Sequence, residues 1–308
     1  MKYCSVAETA KKWGLSERTV RNYCANGRLK DAMLKGKTWY IPEDAQRPNR
    51  INRRDDSPKT LKEYLKYEKK SNVKGGIYHK IQVDLTYNSN HIEGSRLTHD
   101  QTRYIYETNT IGMEYSSAVN VDDIVETVNH FRCIDLVIDN ADRTLSESFI
   151  KLLHKTLKTG TSDSRKEWFA VGDYKRFPNE VGGHETAEPE NVADKMKQLL
   201  ERYNKVREKT LNEIIQFHYE FEAIHPFQDG NGRIGRLILF KECLRNDIVP
   251  FIIDDDLKMF YYRGLHEWER EQGYLTDTCL TAQDRFKKYL DYFRIEYQDQ
   301  DSNFDEMR

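Results

Sequence analysis

Residues 225–236 read HPFQDGNGRIGR. One His, one Asp, one Asn, two Arg and three Gly in twelve positions suit neither a core strand nor an amphipathic helix. Gly230, Gly232 and Gly235 fit G-x-G-x-x-G, and Asp254–Asp256 follow VPFII at about the 20-residue offset that a dinucleotide-binding fingerprint asks for. That fold needs a strand before the glycines and repeated βαβ units. Instead, Ile214, Phe217, Phe221 and Ile224 step by three, four and three, which predicts a helix. The chain has no βαβ repeat, and no Lys-Ser/Thr pair follows the glycines, so the Walker A pattern fails too.

The residues between and around the glycines carry more information. A helix, a loop HPFQDGNG and a new helix RIGRLILFKECLR place flexible backbone at a helix N-terminus, where N–H groups can face an anion. Arg233 and Arg236 are three apart and share a side of the new helix, and guanidinium groups bind phosphate oxygens bidentately. Asp229, amid these cations, is a natural ligand for Mg²⁺ bridging phosphates. His225 sits at the loop mouth, where an imidazole can take a proton from a hydroxyl. Phe227 is the apolar anchor of the loop.

This stretch resembles the signature of the Fic family, H-P-F-x-D-G-N-G-R-x-x-R, at every specified position, and the likeness extends over residues 80–270. It implies a mainly α fold, a helical core with a β-hairpin flap, and transfer of AMP from ATP to a Tyr, Thr or Ser hydroxyl of a protein target or of the protein itself. On that resemblance His225 is the base and Asp229 the Mg²⁺ ligand. Gly230, Asn231, Gly232, Arg233 and Gly235 lie along the phosphates, with Arg236 on the γ-phosphate. Tyr261 and Tyr262 resemble the pair lining the adenine pocket, with Glu269 where an Asn often stands. The stretch GDYKRFPNEVGG, 172–183, resembles the flap, and Asn179, Glu180, Val181 and Gly182 are its expected target-binding residues. Asn179 and Glu180 depart from the apolar pattern usual there.

SNHIEG, Ser89 to Gly94, fits the family's inhibitory pattern [ST]-x-x-x-E-[GN]. Ser89 and Glu93 are i and i+4, on one face of a helix predicted around 82–94. By the resemblance, Glu93 pairs with Arg236 and displaces the γ-phosphate. The same Glu orients water in relatives that remove AMP, so a Glu93-dependent deAMPylase is the alternative activity.

Charge is uneven along the chain. Residues 1–55 carry 13 Lys/Arg against 6 Asp/Glu, so +7, leaving −9 for the rest of a chain of net charge −2. A basic module joined to an acidic one is the footprint of a nucleic-acid reader. Val6, Ala7, Ala10 and Trp13 share a helical face, Gly14 ends that helix, and Ser16 caps a second carrying Thr19, Val20 and Tyr23. Strands around Lys35-Gly36 make a wing. The segment resembles winged helix-turn-helix domains of the MerR and excisionase type. The organisation expected is a helix-turn-helix domain at 1–48, a linker at 49–60 and a Fic domain at 61–308, its last residues frayed. A DNA-binding regulator whose Fic core only senses nucleotide is a further alternative.

The five cysteines, Cys4, Cys24, Cys133, Cys243 and Cys279, form no C-x-x-C, and they read as reduced thiols. The N-terminus has no apolar h-region and no segment approaches a membrane span, so a cytoplasmic location without membrane contact is expected. The implied partners are ATP with Mg²⁺, a protein target and, through residues 1–48, DNA; a homodimer is compatible with this.

Overall fold

The computed structural model describes residues 2–48, 58–112, 118–182 and 184–297. Most of the expected linker, 49–57, and the expected frayed end, 298–308, lie outside the described residues. The chain divides into two compact units, Met1–Ser57 and Pro58–Arg308.

The first unit begins with strand β1 (Tyr3–Ser5), then α1 (Val6–Trp13), α2 (Glu17–Ala25), β2 (Met33–Lys35) and β3 (Thr38–Pro42). Ser5 caps α1 through a capping box with Glu8, and Gly14 closes it at φ 64°. Ser16 accepts the Thr19 N–H at the start of α2, which relieves one of the orphan donors of a helix start. β2 and β3 pair antiparallel around Gly36. The sequence pattern missed β1, which pairs with β3 and gives the order β1-β3-β2. Val6, Ala10, Val20, Cys24, Leu29 and Ile41 form the small core. Ala7, expected on the buried face of α1, is exposed. Its place is taken by Thr9, whose hydroxyl donates to the Ser5 carbonyl and so enters the core satisfied.

The second unit is helical apart from one short hairpin. Its order is α3 (Leu61–Ser71), α4 (Ile77–Ile92), α5 (His99–Thr108), α6 (Val121–Asp139), α7 (Glu147–Lys158), β4 (Glu180–Val181), β5 (His184–Glu185), α8 (Pro189–Lys205), α9 (Leu211–Ile224), α10 (Asn231–Arg245), α11 (Lys258–His266) and α12 (Gly273–Phe293). α10 is the axis of the unit. It packs against α9, α6, α4 and α7, and its apolar side chains Ile234, Leu237, Ile238 and Phe240 are all buried. A helix surrounded on this many sides has no solvent face, so its polar residues, Arg233, Arg236, Lys241 and Glu242, are buried as well. Such groups need partners inside the fold.

The helix carrying the SNHIEG motif, expected around 82–94, begins five residues earlier and stops two residues sooner. α4 ends at Ile92 and Glu93 is its C-cap, because Gly94 turns the chain at φ 95° and Ser95 N–H returns to the Asn90 carbonyl. The Val249–Ile253 segment is buried but is not a strand, so the glycine-rich loop has no βαβ setting. No helix among the described residues is long and apolar enough to cross a membrane.

Phe240 is 1% exposed and packs edge-on to Phe286. Truncation there leaves a cavity that the surrounding helices cannot close, so Phe240→Ala is expected to cost about 3–5 kcal/mol. Urea denaturation followed by circular dichroism measures it, and a loss near zero would contradict the central place given to α10.

Candidate active site

The loop between α9 and α10 is held in shape from within. His225 caps α9 in the left-handed region, φ 50°, and Gly230 turns into α10 at φ 85°. Between them Phe227 is fully buried and stacks on His154 at 4.0 Å between ring centroids. Asn231 closes the turn on itself: its amide oxygen accepts the Phe227 N–H at 2.8 Å and its amide nitrogen donates to the Phe227 carbonyl at 2.8 Å. This differs from the phosphate role expected for its side chain, which is spent on two backbone groups that the turn would otherwise bury unpaired. Gly235 also differs from expectation. It lies under Glu222 and His218, where a Cβ would run into both, so it serves close packing of α9 on α10 rather than the phosphates.

His225 opens on a cavity of about 1060 Å³ whose lining includes Glu93, Glu222, Gly232, Arg236, Tyr261 and Tyr262. Burial above all, then the nearby Lys175 ammonium, holds the imidazole well below its usual range, at about 4. The ring is therefore neutral near pH 7 and able to accept a proton. Glu222, one turn earlier on α9, is pushed up to about 8 by burial, with Glu93 adding to that and Arg236 opposing it.

Arg236 is 5% exposed, and α4 supplies its partners. Its Nε donates to Ser89 Oγ at 3.0 Å, and Nη2 donates to the Ser89 carbonyl at 2.8 Å and to Glu93 Oε1 at 2.7 Å. Burial opposes the charge, but Glu93 foremost keeps the guanidinium fully protonated. Gly232 makes room for this pair: a Cβ there would strike Glu93 Oε1 and lie 2.9 Å from Arg236 Nη1. The Glu93 carboxyl is 28% exposed and lines the cavity.

Asp229 and Arg233 belong to a second charge cluster. Lys158, 2% exposed, donates to Asp229 Oδ2 at 2.6 Å, to Glu126 Oε1 at 2.5 Å and to Asp163 Oδ2 at 3.3 Å. Arg233 closes the ring through Glu126 and through Asp229 Oδ2 at 3.2 Å. Enclosure raises the Asp229 carboxyl, but Arg233 and Lys158 together bring it down to about 2. Both cations take the same oxygen, and the side chain remains 46% exposed. Among the described residues no group of three or more His, Cys, Asp or Glu is arranged to hold a metal. The site fits Mg²⁺ as one carboxylate beside a ligand's phosphates, the usual pattern for that ion, and not as a closed protein cage. Arg233 was expected on phosphate, but its guanidinium is engaged with Glu126 and Asp229.

Tyr261 and Tyr262 both line the cavity but differ in exposure. Tyr261 is buried with its hydroxyl on His218 Nε2 at 2.6 Å, whereas Tyr262 is part-exposed and donates to the Ile92 carbonyl at 3.1 Å. The hairpin is confined to Glu180–Val181 and His184–Glu185, shorter than the 172–183 expectation and displaced toward its end. Asn179, expected to face a target, is turned inward: it donates to the Phe227 carbonyl at 3.1 Å and its Oδ1 accepts from Lys175 at 2.6 Å. Glu180 and Gly182 line the cavity mouth, and Val181 pairs with His184 through the backbone.

Lys158, Glu126, Glu222 and Lys175 escaped the sequence reading. For Lys158 a signal existed. Ile150, Leu153, His154, Leu157 and Lys158 are the buried stripe of α7, and a lysine in an apolar stripe announces a buried ion pair.

Both units of the chain are similar to known proteins. Residues 144–242 match the Fic/DOC family and residues 3–45 a helix-turn-helix domain family. The chain therefore contains a Fic/DOC domain preceded by a helix-turn-helix domain. It is 29% identical over 187 residues to protein adenylyltransferase Fic of Drosophila mojavensis, covering 58% of this chain and 35% of that protein. It is 26% identical over 183 residues to protein adenylyltransferase fic-1 of Caenorhabditis elegans, covering 57% and 34%. The chain thus spans about a third of the length of these curated relatives. A Fic domain containing signaling protein from Bacteroides thetaiotaomicron superposes with TM-score 0.56 at 28% identity, over 75% of this chain and 90% of that one. C. elegans Fic-1 shares the fold, with TM-score 0.59 at 19% identity over 71% and 65%.

Removing the Lys158 ammonium leaves Glu126 and Asp229 with Arg233 alone. Lys158→Met is expected to destabilise the protein by about 3–5 kcal/mol, as when one member of a buried ion cluster is lost. Adding Glu126→Gln should recover part of that loss in urea denaturation; a neutral single variant would contradict the ring.

Proposed function

We propose that the protein is an autoinhibited protein adenylyltransferase that moves AMP from ATP to a hydroxyl of a protein target or of itself. One observation carries this reading: a neutral histidine, His225, opens on a cavity in which the buried Arg236 is paired with Glu93. In the reaction His225 takes the proton of a Tyr, Thr or Ser hydroxyl. The oxygen attacks the α-phosphorus, the bond from that phosphorus to the β-phosphate oxygen breaks, and pyrophosphate leaves. Arg236 holds the γ-phosphate and thereby turns the α-phosphorus in line. Gly232 and the unpaired N–H groups at the start of α10 face the phosphate chain. Asp229 would hold Mg²⁺, which supplies neutralisation of the triphosphate charge.

In this reading Glu93 is a competitor. Its carboxylate takes the position and the guanidinium that a γ-phosphate needs, and Ser89 fixes the other face of Arg236. Glu93→Gly should raise self-labelling with α-labelled ATP and Mg²⁺ on the order of tenfold or more, since it removes one state of a two-state equilibrium. His225→Ala in that background should abolish it. A Glu93→Gly protein that transfers no label sinks the reading. Because Glu93 lines the cavity together with His225, it is also placed to orient water. Loss of AMP from a labelled target with wild type but not with Glu93→Gly would assign deAMPylation instead.

The acid limb of transfer follows from the depressed imidazole. His225 is in its base form above its midpoint, so activity should persist as pH falls through 6.5 and fail only as it approaches about 4. A pH profile of kcat/KM checks this; loss of activity near 6.5 would contradict it.

For residues 1–48 we propose DNA binding. α2 exposes Arg18, Arg21 and Asn22, and the wing bears Lys35 and Lys37. Phosphate-led contact weakens steeply with salt, about 0.9 in log K per log salt for each phosphate neutralised. A fluorescence-anisotropy salt titration measures the slope; no binding at low salt would give this module another role.

A further inference from the structure

Lys175 is 3% exposed and lies in the segment between α7 and the hairpin, five residues before β4. Its Nζ donates to Asn179 Oδ1 and to Thr186 Oγ1, both at 2.6 Å. Among the described residues no carboxylate lies within ion-pair distance of it. A buried ammonium held only by neutral groups keeps most of its field, because no counter-charge cancels it.

Its partners tie two elements together. The Lys175 N–H donates to the Pro226 carbonyl at 2.9 Å, next to the base. Asn179 passes the contact on to the Phe227 carbonyl at 3.1 Å, and the Thr186 hydroxyl also meets Asn179. Phe177 N–H reaches Gln228 Oε1 at 3.3 Å. The segment before β4 and the residue after β5 are therefore bolted, through one ammonium and one amide, to the loop 225–228.

Several charged groups face the His225 ring. Lys175 approaches from the hairpin side, Glu222 from α9 with Oε2 at 4.0 Å from Nδ1, Glu93 from the end of α4, and Asp229 from the loop. Of these four Lys175 is the cation, and Arg236 also lines the cavity on which the ring opens. Lys175 in turn feels the charges of Glu188, the N-cap of α8, and of Lys195 on that helix, and burial lowers its own titration to about 8, so it still carries its charge at pH 7.

We infer that Lys175 is a positioning residue for His225: its ammonium fastens the hairpin to the loop that carries the base and sets a positive charge on the hairpin side of its ring. This rests on the adenylyl-transfer reading for the use of the base, but not for its titration. The ammonium touches no reacting atom. It acts through the ring's charge state and through Asn179, which aligns the loop.

The test is an NMR titration of the His225 Cε1–H signal in the full chain, assigned with His225→Asn. In Lys175→Met the His225 midpoint should move up by roughly 0.5 pH unit or more, the size expected when a nearby like charge is removed. Lys175→Arg should leave it close to wild type, and the acid limb of transfer should move in parallel. An unchanged midpoint in a folded Lys175→Met protein overturns the inference, as does an equal shift in Lys175→Arg. Lys175→Gln, which retains hydrogen-bonding groups toward Asn179 and Thr186, is the second variant if the Met form does not fold. Failure of both to fold would assign Lys175 to stability and also overturn the inference. A moved midpoint with no transfer activity in any variant would leave this inference standing and remove the adenylyl-transfer reading instead.

Discussion

A guanidinium buried at the centre of a helical unit is the constraint on which the site depends. α10 has no solvent face, so Arg236 is almost wholly withdrawn from water and needs partners from a neighbouring helix. The end of α4 supplies them: a hydroxyl, a carbonyl and the Glu93 carboxylate. That satisfies the charge while no anionic ligand is present. On the proposed reading, an arriving triphosphate would meet a cation already in use. The turn at Gly94 and the bare backbone at Gly232 are what allow Glu93 to stand so close.

The remaining charges are divided so that each motif residue is held by something buried. Asp229 is pinned through one oxygen by Lys158 and Arg233, and Glu126 closes the ring behind them. The loop backbone is held by Asn231 within it and by Asn179 from the hairpin. On the proposed reading, rigid support of this kind would keep the reacting groups in place before a substrate arrives, which is where most of the advantage of phosphoryl-group transfer lies. His225, by contrast, has a buried Nδ1 without a hydrogen-bond partner among the described residues and a ring held neutral by its surroundings.

Much of this was legible in the chain. The three-four-three ladder before His225 placed α9, Ser16 stands where a cap belongs, and the fixed spacing of the twelve-residue motif gave the loop between two helices. Ser89, Glu93 and Arg236, 147 residues apart at the extremes, were brought together on the motif resemblance alone, since no periodicity connects them. What was hidden is tertiary. The use of Asn231 on its own loop and of Gly235 as a packing site depends on which backbone groups the turn buries, and a linear pattern does not contain that. The partners of Lys158 were hidden because Glu126 and Asp229 lie 32 and 71 residues away. The hairpin fell later than expected because Asn179 is drawn onto the loop between α9 and α10, so pairing begins only at Glu180.

The most direct test of the central claim, that Glu93 and a γ-phosphate compete for Arg236, is isothermal calorimetry of ATP and of AMP on wild type and Glu93→Gln. The account predicts that the variant binds ATP tighter by about tenfold, about 1.4 kcal/mol, while AMP, which has no γ-phosphate, is unaffected. Equal gains for both nucleotides, or none for ATP, would contradict it.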